Sequence, residues 1–213
     1  MRSVATTALA CDGFNGGEQL VWTATSGGEG AWKIGTDQSR GTDSGVLLEE
    51  DTDSVWHDDV TCGPAGGFPA SQTVTVTVAL GAANSSASED PVAVTYALYK
   101  DSGNAYYAAV DAAGQVSLNE RINGVDSTLA SASISLSGGP WNVLSLQIIP
   151  TTDSLYPPAG RLWAVVSAGD PSGGAVPVLD ALADSAPAWT SGCAGIGTYG
   201  ISGAFDDFVV SSP

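Results

Sequence analysis

Hydrophobic and polar residues alternate most regularly near the middle of the chain. From Thr73 to Leu80 every second residue is valine or leucine, and the residues between them are threonine or alanine. A period of two places the aliphatic side chains on one face of a strand. The pattern predicts an antiparallel strand with one buried face and one solvated face.

Further strands are predicted along the rest of the chain, separated by turn residues. Asn123-Gly124 is the strongest short hairpin signal among these turns. Residues 180–184 are expected to form at most one helical turn. Frequent short strands with turns between them indicate an all-β protein built as a two-sheet antiparallel β-sandwich. The predicted strands cover residues 92–99, 105–111, 115–121, 128–136, 141–149 and 161–166.

The domain organisation predicted from the sequence is a single domain over residues 1–213. All-β sandwiches of this length commonly fold as one unit. The stretch Gly63–Pro69 is rich in glycine and proline, and we interpret it as part of a long acidic loop region, about residues 35–72. Residues 81–90 are expected to form a second exposed loop.

The charge of the chain is strongly negative, with 23 acidic against six basic residues and a formal net charge of −17. Such a surface repels phosphate backbones, so a nucleic-acid partner is not expected. No stretch approaches the roughly 20 apolar residues that span a bilayer, and a membrane partner is not expected either. The acidic residues serve solubility, or some of them bind calcium, which takes oxygen ligands.

The three cysteines are Cys11, Cys62 and Cys193. The odd number leaves at least one thiol free, and one pair could form a disulfide in any of three ways. The apolar run at residues 4–10 is too short for a signal peptide. This favours synthesis in a cytoplasm without export, where the cysteines would stay reduced.

The end of the chain resembles a known group of folds. A glycine-rich approach, Thr190–Gly200, leads to Ala204–Val210, in which two aspartates lie between two phenylalanines. This segment resembles the closing strands of concanavalin A-like, or laminin-G-like, jelly rolls. Residues 105–124 are similar to a strand and hairpin of the same group. The segments 12–15, 22 and 30–34 resemble an opening frequent in phage-encoded laminin-G-like proteins. The resemblance implies a concanavalin A-like jelly roll.

The acidic segment Glu49–Asp59 contains most of the candidate binding residues. Trp56 could stack on a sugar ring beside His57, and Trp189 lies in a predicted loop where it could do the same. The hypothesis of a calcium-assisted glycan site here rests on analogy with laminin-G-like domains that bind glycans in a calcium-dependent way. Alternatively, the segment is a solvated acidic loop with Trp56 in the core and His57 on the surface. The candidate calcium ligands are Glu49, Asp51, Asp53, Asp58 and Asp59.

The sequence contains no complete match to the following catalytic motifs. Glycoside hydrolases of this fold carry a Glu-x-Asp-x-x-Glu pattern on one strand, and the nearest match begins at Glu49 but has Ser54 in place of the last glutamate. His57 is the only histidine, so any Ser-His-Asp or Cys-His arrangement must use it. We predict no catalytic residue and no enzyme activity.

The leading functional hypothesis is a non-enzymatic phage structural protein on the virion surface, as a capsid decoration protein or a tail module. Its expected partners are other virion proteins or copies of itself, and its location is the virion after synthesis in the host cytoplasm. The alternative is an extracellular, calcium-assisted adhesion module that binds cell-surface glycans. The second alternative is a polysaccharide hydrolase or lyase. No cofactor other than calcium is expected.

Overall fold

The computed structural model describes residues 8–14, 20–26, 32–36, 45–63, 66–86, 90–136, 141–150, 162–171, 175–182, 189 and 191–212. The regular elements of these residues are all β-strands. The described strands are β1 (Ala8–Asp12), β2 (Trp22–Ser26), β3 (Trp32–Thr36), β4 (Gly45–Glu49), β5 (Trp56–Thr61), β6 (Phe68–Pro69), β7 (Gln72–Ala83), β8 (Val92–Asp101), β9 (Asn104–Asp111), β10 (Gln115–Ile122), β11 (Val125–Ser133), β12 (Trp141–Pro150), β13 (Leu162–Gly169), β14 (Val176–Leu182), β15 (Ser191–Tyr199) and β16 (Ile201–Ser211).

These strands form two sheets. Sheet A has the order β14-β13-β12-β7-β16-β4-β3, with β1 also paired to β16. Sheet B has the order β11-β10-β9-β8-β15-β5-β2, with β6 also paired to β15. The described pairings are antiparallel. The predicted all-β, two-sheet antiparallel β-sandwich is therefore confirmed.

The alternating segment forms β7 as predicted. Val74, Val76 and Val78 are buried in the core, and Thr75 on the other face bonds to Ser145 of the neighbouring β12, with 2.8 Å between the hydroxyl oxygens. β7 lies between β12 and β16 in the middle of sheet A. Because β7 has a neighbouring strand on each side, it is more buried than the predicted strand with one fully solvated face.

Two separate buried layers result from the alternation in sheet B. The first layer lies between the sheets and combines side chains of both, because its members come from β7, β12 and β16 as well as β8, β9 and β10. The second consists of sheet B side chains alone and therefore lies on the face of that sheet turned away from sheet A. We call this second surface the outer face. Its buried apolar members are Val60, Val94, Tyr96, Tyr99, Ala105, Tyr107 and Ala109.

The Asn123-Gly124 hairpin is confirmed. Ile122 pairs with Val125, and the two residues between them have φ angles of 52° and 78°. Positive φ at both central positions defines a type I′ turn, which matches the twist of the flanking strands. β11 therefore begins at Val125, three residues earlier than predicted.

Two predictions about local structure are wrong. The region 35–72 is not one long loop, since it contains β4, β5 and β6. The helical turn predicted at residues 180–184 is not formed by residues 180–182, which belong to β14, and residues 183–184 lie outside the described residues. In both cases pairing with a neighbouring strand decides the structure: β4 pairs with β3 and β16, β5 with β2 and β15, and β14 with β13. The single-domain organisation stays a prediction.

A disulfide joins Cys62, just after β5, to Cys193 of β15, with 4.4 Å between the Cα atoms. The bond links two neighbouring strands of sheet B across 131 residues of sequence. The expectation that these two cysteines stay reduced is therefore wrong, and the exposed Cys11 is the free thiol. Within the described part of the chain no helix is long and apolar enough to cross a membrane.

Candidate functional site

The outer face of sheet B carries a group of aromatic side chains around one arginine. We call it the aromatic cluster. Most of its rings are buried, and the ring of Trp56 is the most exposed of them. Its members are Trp56, Tyr96, Tyr99, Tyr107, Arg121 and Tyr199.

Strand alternation assigns the residues of β5 to opposite faces. Trp56 and Val60 contact the outer-face layer, and Asp58 shares their face because successive side chains alternate. His57 pairs in register with Thr198 and faces the inside of the sandwich. One short acidic strand therefore supplies side chains to two different environments.

Glycine in β15 makes room for the cluster. A Cβ atom on Gly197 would lie 2.6 Å from Asp58 Oδ1 and 3.1 Å from Cε2 of Tyr96. Contacts this short force the neighbouring groups to move. The small residue at position 197 thus lets the Tyr96 ring and the Asp58 carboxylate lie flat against β15.

Arg121 occupies the centre of the cluster. Its guanidinium carbon lies 4.5 Å from the ring centroid of Trp56 and 5.5 Å from that of Tyr107. Its Nε donates to Asp126 Oδ1 at 2.8 Å and its Nη1 to the carbonyl of Ser102 at 3.2 Å. Its Nη2 is buried without a hydrogen-bond partner. The arginine therefore combines cation–π stacking with one unused donor.

The charge of Arg121 is held in place by its neighbours. Burial acts to lower the pKa of the guanidinium, but the hydrogen bond to Asp126 and the nearby Tyr96, Asp126 and Tyr107 outweigh it, so that the pKa is raised. Tyr107 also donates its hydroxyl to Asp126 Oδ1 at 2.9 Å. Asp126 thus accepts from two members of the cluster, and its side chain is 40% exposed.

Three tyrosines of the cluster, Tyr96, Tyr99 and Tyr107, have raised pKa values. Tyr96 donates to Asp58 Oδ1 at 2.6 Å, and burial followed by the Asp58 charge raises its pKa well above the usual value. Burial raises the pKa of Tyr99 to about 12, against a hydrogen bond to Thr25 that lowers it. Burial and the charge of Asp126 also raise the pKa of Tyr107. These three hydroxyls therefore keep their protons at neutral pH.

A second group of polar side chains lies at the rim where the chain passes from β4 in sheet A to β5 in sheet B. We call Glu49, Asp51, Asp53 and His57 the rim cluster. His57 Nε2 lies 2.7 Å from Asp53 Oδ1, and His57 Nδ1 lies 3.9 Å from Glu49 Oε2. Glu49 Oε1 accepts the backbone N–H of Asp51 at 2.7 Å. Burial raises the pKa of Glu49, while the Asp51 N–H and His57 act to lower it.

The structure brings together some of the predicted binding residues and separates others. Trp56 is half-buried in the aromatic cluster, and its role in sugar stacking stays a prediction. Trp189 packs against Tyr106 of the inter-sheet core, with 5.8 Å between ring centroids, and is only partly exposed. The two tryptophans therefore lie in different places and do not form one site.

The surface-loop interpretation of His57 is wrong, and its predicted contact with sugar is not supported. The side chain is 1% exposed, inside β5, and Glu49 is equally buried. The predicted calcium set is also divided, because Asp58 faces the outer side with Tyr96 and Asp59 is buried further along β5. Glu49, Asp51 and Asp53 are the predicted calcium ligands that the structure groups with His57. The segment consists of the end of β4 and most of β5, joined by a mainly exposed connection at residues 50–55.

The sequence analysis did not select the residues at the centre of the aromatic cluster. Tyr96, Tyr107 and Arg121 come from three consecutive strands, and Asp126 follows the hairpin. A signal was present, since Tyr96 and Tyr107 pair directly across β8 and β9 and both belong to runs with apolar neighbours on either side. Recognising it requires the strand register, which the sequence pattern alone does not provide.

Comparison with solved structures identifies the fold. The carbohydrate-binding module CBM66 from Bacillus subtilis matches with a TM-score of 0.59 and 16% identity, over 91% of this chain and 98% of that one. A Bacillus subtilis protein of unknown function with a galectin-like fold matches with a TM-score of 0.62 and 14% identity, over 97% and 99% of the two chains. The CBM2 module of the evolved Dit of Lactobacillus casei BL23 phage J-1 matches with a TM-score of 0.52 and 9% identity, over 97% and 96%.

These likenesses, together with the two antiparallel sheets, show a concanavalin A-like jelly roll with a lectin-like architecture. The fold implied by the sequence resemblance is therefore confirmed. No protein-family model matches the sequence, and no curated protein matches it significantly. Because identities this low establish fold and not function, function must be argued from the site.

Proposed function

We propose that this chain is a non-enzymatic, lectin-like module that binds neutral carbohydrate on the outer face of sheet B. The observation that carries the proposal is the aromatic cluster, in which the guanidinium of Arg121 lies against the rings of both Trp56 and Tyr107. Likeness to the carbohydrate-binding module CBM66 and to the phage CBM2 module supports the same class of function.

The chemistry of the cluster suits a sugar. The partly exposed ring of Trp56 offers an apolar surface to the C–H face of a pyranose or furanose ring. Beside it, the carboxylate of Asp126, 40% exposed, can accept hydrogen bonds from sugar hydroxyls. Small-molecule sites are usually lined by apolar and aromatic side chains with a small number of polar groups beside them.

The net charge narrows the ligand class. A chain of −17 repels uronate-rich or sulfated polysaccharides at long range. The carboxylates of Asp58 and Asp126 near the cluster add to this repulsion. We therefore expect neutral glycans to bind better than acidic ones, and binding to weaken little as salt is raised.

A hydrolase or lyase has less support. The carboxylates of the outer face accept hydrogen bonds from Tyr96, Tyr107 and Arg121. A retaining glycosidase needs two carboxyl groups about 5–5.5 Å apart beside the scissile bond, one of them as a nucleophile. Carboxylates that hold aromatic hydroxyls and a guanidinium in place are suited to shaping a platform instead.

The test is affinity electrophoresis and titration calorimetry with a panel of neutral and acidic polysaccharides. We expect binding to a neutral member, loss of at least tenfold in affinity for Trp56→Ala, and no change for the control Val125→Ala. Val125 is 65% exposed and adjoins Asp126. Thermal unfolding of each variant separates lost binding from lost fold. Absence of binding across the panel, or equal binding by Trp56→Ala, would overturn the proposal.

Residence on a phage virion is a second proposal, favoured by the end-to-end likeness to the CBM2 module of a phage Dit. In that setting the chain is a capsid decoration protein or a tail module, its partners are other virion proteins or further copies of itself, and its ligands are cell-surface glycans. Size fractionation of the native source, with mass spectrometry of each fraction, tests this. Cosedimentation with particles in fixed ratio to a major shell or tail protein supports it, and recovery as the free chain contradicts it.

A further inference from the structure

The rim cluster lies between the two sheets, apart from the proposed glycan surface. Glu49 is the last residue of β4 in sheet A, and His57 is the second residue of β5 in sheet B. Both side chains are 1% exposed. Asp51 and Asp53 lie in the exposed connection between these strands. Four potential ligand side chains thus converge within nine residues of sequence, at a point where the chain crosses from one sheet to the other.

The two buried side chains face each other without a hydrogen bond. Glu49 Oε2 and His57 Nδ1 have no hydrogen-bond partner, and they lie 3.9 Å apart. This distance is too long for a hydrogen bond. Buried polar atoms normally have a hydrogen-bond partner. Two neighbouring buried atoms without one therefore point to a ligand that contacts both.

Asp53 determines which histidine nitrogen is available. Because its carboxylate can only accept, His57 Nε2 donates its proton to Asp53 Oδ1 at 2.7 Å. In the neutral ring this leaves a lone pair on Nδ1, directed toward Glu49. A histidine that donates one ring N–H to a carboxylate and presents the other nitrogen is the arrangement found in protein metal sites.

A third donor completes the set. One ligand atom from each of Glu49, Asp51 and His57 lies within 4.8 Å of the other two. A metal ion bonded at about 2.1 Å to both a nitrogen and an oxygen can span up to about 4.2 Å between them. The gap between Glu49 Oε2 and His57 Nδ1 falls inside that limit.

We propose that Glu49, Asp51 and His57 bind a divalent transition-metal ion, with zinc as the representative, and that Asp53 is a positioning residue for the histidine. Imidazole suits zinc and its neighbours, whereas calcium takes oxygen ligands. This proposal replaces the five predicted calcium ligands with three ligands, one of which is the imidazole nitrogen of His57. Solvent can reach the site through the exposed Asp51.

The proposed ion cross-links the sandwich. It ties the end of β4 in sheet A to the start of β5 in sheet B, and the carbonyl of Asp53 also accepts the backbone N–H of Gly200 at 3.1 Å. Gly200 forms the crossing between β15 and β16. Two of the connections between the sheets, β4–β5 and β15–β16, are thus held together at this rim. This inference does not depend on sugar binding.

The test begins with the full chain freed of metal by a chelator. Titration calorimetry and thermal unfolding with zinc, cobalt and calcium chlorides are expected to show one tight site for zinc, a raised melting temperature, and calcium affinity at least tenfold weaker. Asp51→Ala, an exposed position, is expected to lower zinc affinity at least tenfold. The control Glu50→Gln, next to the cluster but paired with Lys33 at the surface, is expected to leave it unchanged.

The single histidine provides a specific readout. In protein carrying ¹⁵N-labelled histidine, zinc is expected to shift Nδ1 of His57, and cobalt to broaden it. Asp53→Ala is expected to lower zinc affinity about 10–100-fold and to change the tautomer balance of the ring before metal is added. No zinc binding, or zinc binding that leaves the ring signal unchanged or is equal in Asp51→Ala, would overturn the proposal. Equal affinity for calcium would overturn the choice of metal.

Discussion

The guanidinium of Arg121 lies over the ring of Trp56, 4.5 Å from its centroid. The two residues come from β10 and β5, on different sides of β8, β9 and β15 in sheet B. Their contact spans the width of the aromatic cluster and places a buried cation against the face of its most exposed ring.

Replacing Arg121 by lysine is expected to destabilise the fold. Arg121→Lys keeps a positive charge but cannot donate to both Asp126 and Ser102 while stacking on Trp56. We expect the free energy of unfolding to fall by about 1–3 kcal/mol, the range for a lost charged hydrogen bond. Urea denaturation measures this, with the exposed Lys100→Arg as the control. An unchanged unfolding midpoint for Arg121→Lys would show that the fork is not used.

The close contact at Gly197 is expected to exclude even a methyl group. In Gly197→Ala the added Cβ meets Asp58 Oδ1 at 2.6 Å and the backbone carbonyl oxygen of His57 at 2.9 Å. Since overpacking of this kind costs about 1–3 kcal/mol, the melting temperature should fall and glycan binding should weaken along with it. If Gly197→Ala has the same melting temperature as the original chain, then β5 and β15 can move apart without loss of stability, and the prediction is wrong.

The disulfide is expected to contribute substantially to stability. Replacing Cys62 and Cys193 by alanine opens a covalent loop of 131 residues, and loss of a native disulfide typically costs about 2–5 kcal/mol. Denaturant unfolding of this double variant, compared with Cys11→Ser, measures the effect. The Cys11 change should be nearly neutral because its thiol is free and exposed. Equal stability of all three proteins would contradict the prediction.

Alkaline pH is expected to destabilise the fold through the buried tyrosines. The pKa of Tyr99 is 10.0 when unperturbed and about 12 in the folded chain, so the unfolded chain releases this proton first. The folded state then binds more protons, and stability falls as pH rises from about 10 towards 12. Tyr96 and Tyr107, with pKa values also raised, add to the loss.

Tyrosinate absorbance and circular dichroism, recorded together across this pH range, check the alkaline prediction. Ionisation of the buried tyrosines should coincide with unfolding. Tyr99→Phe should reduce the slope of stability against pH above 10, although it also loses the hydrogen bond to Thr25. Smooth ionisation near pH 10 in a chain that stays folded would contradict the burial of these hydroxyls.

Much of the fold could be predicted from local pattern. Val74, Val76 and Val78 alternate with polar residues and face the core as expected, and Asn123-Gly124 forms its type I′ turn. The strands from β7 to β13 were located to within about three residues at their ends. These features depend on near neighbours in sequence, so a pattern of residues is sufficient to reveal them.

The acidic segment shows why the rest could not be predicted. Four carboxylates between Glu49 and Asp53 suggest solvent, yet Glu49 and His57 are buried because β4 pairs with β16 and β5 with β15. These partners are about 150 residues away in sequence, and local composition carries no information about them. The alternation within β5 then divides Asp58 from His57.

The sequence by itself determined the all-β class, the alternation of the central strands, the turn at Asn123-Gly124 and the strong negative charge. Each of these follows from side-chain chemistry and residue spacing. Only the tertiary structure decided that Trp56, Tyr107 and Arg121 share a surface, that Cys62 pairs with Cys193, and that His57 faces Glu49. These are contacts between strands distant in sequence, and their register depends on how the whole sandwich buries its apolar faces at once.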